Sequence, residues 1–471
     1  MAWRSTLANP AAIEHARSRL TARSGFKTRE VRLKPDATFG FETGCSVTGA
    51  QRRCCLIGAM VTYARVATGI AVTGLGIVSP FGTSQDAFRD ALLAGRDGLA
   101  PVTAFDTSEC RAHRAALVAD FDPTRWISPM KLRRMDAAGT FAVALARQAL
   151  DDAAVPYGDA PDDGVGIVLG TYTAGGQPTE EFLRGLYALG PTGAPALIFN
   201  ATVANIAASL AALEMKLRGP NVTISQKEVS GLAAIAHASD ILRHGRARAL
   251  VAGGVDAVYR VFYCVHDRFG VLSHDNGGPE GSRPFDATRN GFVLGEGGFV
   301  LALEDEGQAN ARGAKIYGSL LGIASGGASV RLNQWPDRPE PLVRIMARAL
   351  AQAAVRPEEV DVVYAAANSS ALDVVEARAL ESLFGGGRAV VTSIKGALGE
   401  SGAAGAAACV AALLCGRHGA VPPVAGLARL DPACAGLRIA RRPEPAPGPL
   451  VLVNSVASGG ALVSAVLRVA G

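Results

Sequence analysis

The stretch "TISQKEVSGLAAIAHASDIL" at residues 223–242 predicts a β-strand that passes through a tight turn into a helix. The apolar strand ends at Ser225, Gly231 permits a close backbone approach, and an alanine-rich helical segment follows. Corners of this kind often carry a nucleophile, because the N-terminus of a helix stabilises negative charge. In this chain the side chain at the corner is Glu228, flanked by Lys227. The sequence therefore predicts a corner suited to a nucleophile, with a carboxylate in its place.

The composition indicates a globular chain and excludes several classes of function. Of the 471 residues, 49% are hydrophobic and 19% are charged, which leaves ample apolar surface for a core. The net charge is +5, but no basic stripe is interleaved with aromatic residues, so we expect no nucleic-acid partner. The chain has no uninterrupted run of about 18 apolar residues, so no membrane span is predicted.

The cysteines and histidines indicate neither a metal centre nor a disulfide framework. Cys54 and Cys55 form the only close pair among the eight cysteines, and no CxxC motif occurs, so we expect no metal, no cofactor and a cytoplasmic location. Three cysteines in strand-following or alanine-rich helical contexts are expected to be small buried hydrophobic residues, namely Cys264, Cys409 and Cys415. His237 lies more than two turns beyond Glu228, and we assign it no function.

The order of predicted strands and helices indicates one fold made twice. Residues 1–65 are excluded as a disordered extension or an upstream start, since Met60 directly precedes the first clear strand pattern. From there on strands alternate with helices, which is typical of an α/β domain. The segment at 388–414 repeats the strand, turn and alanine-rich helix of the first corner. We therefore predict two α/β halves, 66–312 and 313–471, whose corners bring Glu228 and the turn near Glu400 together.

Four stretches of the chain resemble the β-ketoacyl synthase family over about residues 67–470. They are "RGPNVTIS" before the corner, "GSRPFDATRNGFVLGEGG" (281–298), "SIKGALGESGAAG" (393–405) and "VNSVASGG" (453–460). The resemblance implies the thiolase-like fold, in which two duplicated α/β halves form a layered αβαβα arrangement. It also implies chemistry on acyl groups.

The resemblance also implies three catalytic groups, and this chain has replaced all of them. An active member carries a Cys at the corner, which takes the acyl chain as a thioester. Two His side chains promote malonyl decarboxylation and stabilise the developing oxyanion. Here the Cys position is Glu228, the first His position is Ala365 or Ala366, depending on a one-residue gap, and the second is Glu400. We therefore expect no catalytic residue and no condensation by this chain alone.

Two charged residues of the family motifs are retained, Lys395 and Glu296. Lys395 is expected to pair with Glu228, Glu296 or Glu400, which lowers the cost of burying a carboxylate. We favour a structural ion pair over a residual decarboxylase role, because two carboxylates would repel an enolate.

Ketosynthase-like chains without the nucleophile resemble chain-length factors, which pair with an active ketosynthase and shape the tunnel for the growing chain. The resemblance implies two partners, the active ketosynthase and an acyl carrier protein. It also implies a polyketide, polyene or fatty-acid-like product. Within residues 171–190 we expect Phe182, Leu186 and Tyr187 to form the tunnel floor or ordinary interface packing. Two alternatives stay open: a malonyl-carrier decarboxylase or altered acyltransferase that uses Glu228, and a structural homodimer.

Overall fold

The structure of the chain is a computed structural model that describes residues 69–158, 163–276, 278–385 and 387–471. The expectation for residues 1–65 lies outside the described residues. The first part of the chain contains seven strands and eight α-helices within these ranges: β1 (Ile70–Val78), α1 (Gln85–Leu93), β2 (Leu99–Pro101), β3 (Arg114–Ala116), α2 (Pro129–Leu132), α3 (Ala137–Asp152), β4 (Val165–Gly170), α4 (Gly176–Leu189), α5 (Ile206–Met215), β5 (Asn221–Ile224), α6 (Ser230–Arg243), β6 (Ala249–Asp256), α7 (Arg260–Phe269), β7 (Gly297–Asp305) and α8 (Glu306–Ala311).

The second part of the chain adds seven more strands and four α-helices within the same described ranges. They are β8 (Gly318–Gly327), α9 (Glu340–Ala353), β9 (Val362–Tyr364), α10 (Leu372–Phe384), β10 (Val390–Thr392), α11 (Lys395–Leu398), α12 (Ala404–Arg417), β11 (Ala420–Val421), β12 (Glu444–Pro445), β13 (Leu450–Val456) and β14 (Ala461–Val469). Among the described residues no helix is both long enough and apolar enough to cross a membrane.

The main ten-stranded sheet has an order in which the second half of the chain mirrors the first. The strands lie in the order β5-β4-β6-β7-β1-β8-β14-β13-β9-β10. In the first half β4 runs parallel to β5 and β6, whereas β7 runs antiparallel to β6 and β1. In the second half β9 runs parallel to β10 and β13, and β14 runs antiparallel to β13 and β8. This repeat confirms the predicted duplicated α/β fold, while the limit between residues 312 and 313 stays a prediction.

The helices form three layers around the two halves of the sheet. Helices α3 and α5 cover one outer face, and α9 and α10 cover the other. Helices α6 and α12 lie between the two halves, where Leu232 and Ile241 of α6 and Val410 and Leu413 of α12 belong to one buried core. This is the αβαβα arrangement that the sequence predicts. It places the N-termini of both central helices at the middle of the molecule.

Local hydrogen bonds and a close backbone approach form the corner before α6. The Gln226 N–H donates to the Ser230 hydroxyl at 2.9 Å, and that hydroxyl donates to the Lys227 carbonyl at 2.6 Å. The Gly231 N–H donates to the carbonyl of Gly402 at 2.7 Å, so the corner contacts the matching turn of the second half. A Cβ at position 231 would lie 3.0 Å from that carbonyl oxygen, which explains the glycine.

Two segments near the centre depart from regular strand and helix. The strand predicted to end at Ser225 ends at Ile224, and a 3₁₀ turn over 227–229 precedes the helix, which starts at Ser230. The motif at 281–298 is mostly loop, since strand β7 starts only at Gly297, whose φ of +119° marks the transition from that loop. Residues 291–296 instead make isolated bridges, including one between Leu294 and Glu400. The loop thereby reaches the centre between the two corners.

Candidate functional site

Glu228 lies at the corner as predicted and is 3% exposed. Its carboxylate is held by Ser458, whose hydroxyl donates to Oε1 at 2.8 Å and whose backbone N–H donates to Oε2 at 3.0 Å. Burial raises the pKa of the Glu228 carboxyl above its ordinary value, and the hydrogen bonds from Ser458 offset part of this rise. Both carboxylate oxygens are therefore occupied by bonds within the protein.

Lys227 covers the corner from the solvent side. Its backbone has a φ of +53°, an uncommon conformation for a residue with a side chain. The ammonium donates to Oδ1 of Asn333 and, at 3.2 Å, to the hydroxyl of Ser458. Lys227 thus hydrogen-bonds to two loops of the second half, next to Glu228.

Glu400 lies in the matching turn of the second half and is 2% exposed. Its Oε2 accepts from the Lys395 ammonium at 2.8 Å and from the Asn368 amide at 2.7 Å. Burial raises the pKa of the Glu400 carboxyl, Lys395 opposes the rise, and the negative charge of Glu228 adds to it. The structure therefore brings Glu228 and Glu400 close enough for their charges to interact.

Lys395 pairs with Glu400 and not with the other two carboxylates that the sequence left open. Its ammonium is buried and also donates to the Ala366 carbonyl at 3.0 Å, so two of its three N–H groups have acceptors in the described protein. Glu296 instead accepts from the backbone N–H groups of Val118 and Val258, both at 3.0 Å. Glu296 therefore connects three segments of backbone, and nothing in its contacts implies chemistry.

The two alanines at the first His position present only methyl groups to the centre. Ala365 and Ala366 are both buried. Their backbone groups are used structurally, since the Ala365 N–H donates to the Thr392 carbonyl at 2.8 Å and the Ala366 N–H donates to Oε1 of Glu376 at 2.9 Å. Neither alanine supplies a donor to an oxyanion.

Glu376 is a buried carboxyl that the sequence analysis missed. It lies on α10, and its Oε1 accepts from the Ala366 N–H and, at 3.0 Å, from the Asn454 amide. Its Oε2 has no hydrogen-bond partner among the described residues. Burial raises the pKa of Glu376 to about 7, although these bonds and Lys395 oppose the rise. The signal in the sequence is a pair of acids three residues apart, Asp373 and Glu376, on the buried face of an apolar helix.

A second missed pair, Tyr172 and His266, borders a small closed cavity next to Glu400. The Tyr172 hydroxyl lies 3.3 Å from Nε2 of His266, and Nδ1 of His266 lies 2.7 Å from the Phe262 carbonyl. Burial lowers the pKa of the His266 imidazole and raises that of Tyr172 to about 12. Both side chains are therefore neutral near pH 7. The single N–H of the neutral imidazole donates to the Phe262 carbonyl, so Nε2 accepts from the Tyr172 hydroxyl and both donors are used within the protein.

A separate, mainly apolar cavity of about 810 Å³ opens along α4 and the start of α7. Of the three predicted tunnel residues, Tyr187 lines it, together with Leu183, which the sequence analysis did not single out. Phe182 instead packs against Phe199 with ring centroids 5.5 Å apart, and Leu186 does not border the cavity. Of the three candidates on α4, only Tyr187 borders this cavity, and the tunnel role of all three stays a prediction.

Thioester chemistry requires a reactive thiolate, and metal chemistry requires a cluster of ligating side chains. Cys409 and Cys415 are buried as predicted, and burial raises the pKa of each thiol to about 12, so neither supplies a reactive thiolate. Among the described residues, no group of three or more His, Cys, Asp and Glu side chains is arranged to hold a metal ion. The arrangement holds the carboxyls of Glu228 and Glu400 in hydrogen bonds within the protein.

Two mirrored α/β halves, with both central helices starting at one buried centre, define a ketosynthase-like protein of the thiolase-like fold class. The profile described as "Beta-ketoacyl synthase, N-terminal domain" matches residues 67–309, and "Beta-ketoacyl synthase, C-terminal domain" matches residues 317–428. The chain belongs to the β-ketoacyl synthase family.

Relatives and solved structures agree with this assignment. A 3-oxoacyl-[acyl-carrier-protein] synthase 2 of Coxiella burnetii is 33% identical over 375 residues, which are 78% of this chain and 90% of that protein. The ishigamide ketosynthase/chain length factor structure matches with a TM-score of 0.80 and 30% identity, over 86% of this chain and 100% of that chain. A type II polyketide synthase acyl-carrier protein in complex with its ketosynthase, bound to the hexaketide, matches with a TM-score of 0.78 and 25% identity, over 86% and 100%.

Proposed function

We propose that this chain is a chain-length-factor-like subunit that pairs with an active β-ketoacyl synthase and forms part of the tunnel for its growing acyl chain. The observation that carries the proposal is the side chain at the corner. Glu228 stands where the acyl-carrying thiol is needed, and Ser458 occupies both of its oxygens. A carboxylate held in this way is a structural group.

The replacement of both His positions supports the same conclusion from electrostatics. An enolate or oxyanion needs neutral or cationic donors. Glu400 is a carboxyl, and the buried ammonium of Lys395 beside it is already bound to it at 2.8 Å. Decarboxylation or acyl transfer by Glu228 would place a second negative charge beside these groups. The structure offers no observation that favours either alternative activity.

The surface around the tunnel cavity supports a partner. The described residues expose large apolar side chains on α4, on residues 196–203 and on α7, with Tyr187 82% exposed and Leu197 98% exposed. Exposed apolar patches of this kind mark protein–protein interfaces. Strand β5 ends the sheet and leaves one edge free to pair with another strand. We propose that the active ketosynthase covers this face, and that an acyl carrier protein serves the partner's thiol.

The testing experiment is co-expression with an active ketosynthase encoded beside this chain. We expect a one-to-one complex by size-exclusion chromatography, with condensing activity and with every acyl group on the partner's Cys by peptide mass spectrometry. Product classes to be distinguished are polyketide, polyene and fatty-acid-like chains. A stable homodimer that does not bind the ketosynthase would favour the structural alternative and refute the proposal.

Two substitutions at neighbouring residues of α4 test whether this cavity is part of the tunnel. Leu183→Trp fills the cavity and is expected to shorten the product, whereas Phe182→Trp lies on the side of α4 that packs against Phe199. Phe182→Trp is expected to leave the product length unchanged. If the wild type and Leu183→Trp give the same product distribution in intact complexes, the proposed role of this cavity in setting product length is refuted.

A further inference from the structure

Two free cysteines from distant parts of the chain meet at the surface of the first half. Sγ of Cys110 lies 3.6 Å from Sγ of Cys264, and 154 residues separate them. Both residues are partly exposed. The expectation that Cys264 is a small buried hydrophobic residue is wrong, because Cys264 has a thiol partner and is partly exposed to solvent.

The two segments that carry these cysteines are already held together by other contacts. The Arg111 and Ala112 N–H groups both donate to Oδ1 of Asp267 at 3.1 Å, which fixes the loop after Cys110 to the end of α7. The ring of Phe105 contacts the ring of Tyr263 with centroids 5.6 Å apart. The fold therefore holds the two thiols near each other, and a disulfide requires the sulfurs to approach from 3.6 Å to about 2.05 Å.

We propose that Cys110 and Cys264 form a redox-active dithiol that closes to an intramolecular disulfide on reaction with a small-molecule disulfide such as glutathione disulfide. One protein thiolate attacks a sulfur of the reagent, forms a mixed disulfide and releases one glutathione thiol. The second protein sulfur then displaces the other glutathione. The protein loses two electrons and two protons, and the reagent becomes two thiols.

The surroundings affect how readily Cys110 reacts. Burial, the neighbouring Cys264 sulfur and the carboxylates of Asp267 and Glu109 raise the pKa of the Cys110 thiol to about 11. Because the thiolate is the reactive form of a cysteine, this raised pKa makes Cys110 slow to attack a disulfide at neutral pH.

Closure would restrain the wall of the tunnel cavity. Arg260, Val261 and Phe262, at the start of the helix that carries Cys264, line that cavity. His266, half a turn beyond Cys264, contacts Tyr172. A bond from Cys264 to the loop at Cys110 thus fixes the middle of α7 between these two regions. The dithiol itself does not depend on the proposed pairing with a ketosynthase.

The test uses the full chain, treated with glutathione disulfide or with dithiothreitol. We expect the oxidised sample to lose the mass of two hydrogen atoms, to yield a peptide pair joined at Cys110 and Cys264, and to gain about 3–8 °C in Tm. Increased amide protection over residues 258–270 is expected in the same sample. Dithiothreitol should reverse every change.

Single substitutions distinguish a disulfide between Cys110 and Cys264 from oxidation of other residues. Cys110→Ser and Cys264→Ser each keep the other thiol and the size of the side chain, so both are expected to fold and to show neither the cross-link nor the rise in Tm. The proposal is overturned by persistent mixed disulfides with glutathione in the wild type. It is equally overturned by a cross-link between other cysteines, or by a joined pair without any change in Tm.

Discussion

Replacing Glu376 with Gln removes a buried charge while keeping the shape of the side chain. Oε1 accepts both hydrogen bonds that Glu376 makes, from the Ala366 N–H and the Asn454 amide, and a Gln oxygen can accept both as well. Oε2 has no hydrogen-bond partner among the described residues, so replacing it with the amide nitrogen of Gln breaks no hydrogen bond. The two N–H donors of the amide find no acceptor there, but this cost does not change with pH. The pH dependence of the stability difference between Glu376→Gln and the wild type therefore isolates the cost of ionising this carboxyl.

The size of this cost follows from the pKa of Glu376. The folded protein holds the proton up to about pH 7, whereas the unfolded chain loses it near the ordinary value of 4.5. Because the folded state binds the proton more tightly, its contribution to stability is present below pH 4.5. It decreases as the pH rises and is lost above pH 7. The full loss is about 3 kcal/mol.

We expect the stability of Glu376→Gln relative to the wild type to rise by about 2–3 kcal/mol between pH 5 and pH 8. Urea unfolding at pH 5, 6, 7 and 8, followed by intrinsic fluorescence at one protein concentration, measures the difference. Glu358→Gln is the matched control, because its side chain is 64% exposed. Parallel pH profiles for the wild type and Glu376→Gln would refute the argument.

Three further predictions concern the centre. Lys395→Met leaves Glu400 buried without its cation and should cost about 3–5 kcal/mol in urea unfolding, whereas adding Glu400→Met should recover most of that loss. A Lys395→Met protein of unchanged stability would contradict the ion pair's role. Glu228→Cys should not restore condensation in assays with malonyl and acyl carrier proteins, and its new thiol should react with maleimide more slowly than in Glu228→Cys combined with Lys227→Ala. Repeated extension cycles by the single variant, or equal labelling rates, would count against this. The purified chain without a partner should form no carbon–carbon bond from the same carrier proteins, and turnover that Glu228→Ala abolishes would disprove the non-catalytic role.

The corner and the duplicated order of strands could be predicted because their signals are local and periodic. Residues 223–242 contain a strand, a turn and an alanine-rich helix in succession, and the segment at 388–414 repeats this order. The family resemblance then located Glu228 and Glu400 at the two corners. Their closeness follows from packing α6 and α12 in one core.

The contacts around the corner could not be predicted, because their partners are distant in sequence. Lys227 contacts Asn333, 106 residues away, and Ser458, 231 residues away. The residues of α4 that face the cavity could not be predicted for a different reason. One residue along a helix turns the side chain by about 100°, and the pattern of α4 does not tell whether Phe182 or Leu183 faces the cavity. Only the positions of Phe199 and α7 decide it.

The shared core of α6 and α12 determines when the corner can take its final form during synthesis. The chain up to β7 includes α6 but none of α12, so the inner face of α6, with Leu232 and Ile241, has no cover at that stage. Uncovered apolar faces of this kind promote association of incomplete chains. The Gly231 N–H also lacks the Gly402 carbonyl to which it donates in the complete fold. The geometry of the corner is therefore a late product of folding, assembled only when the last third of the chain has been made.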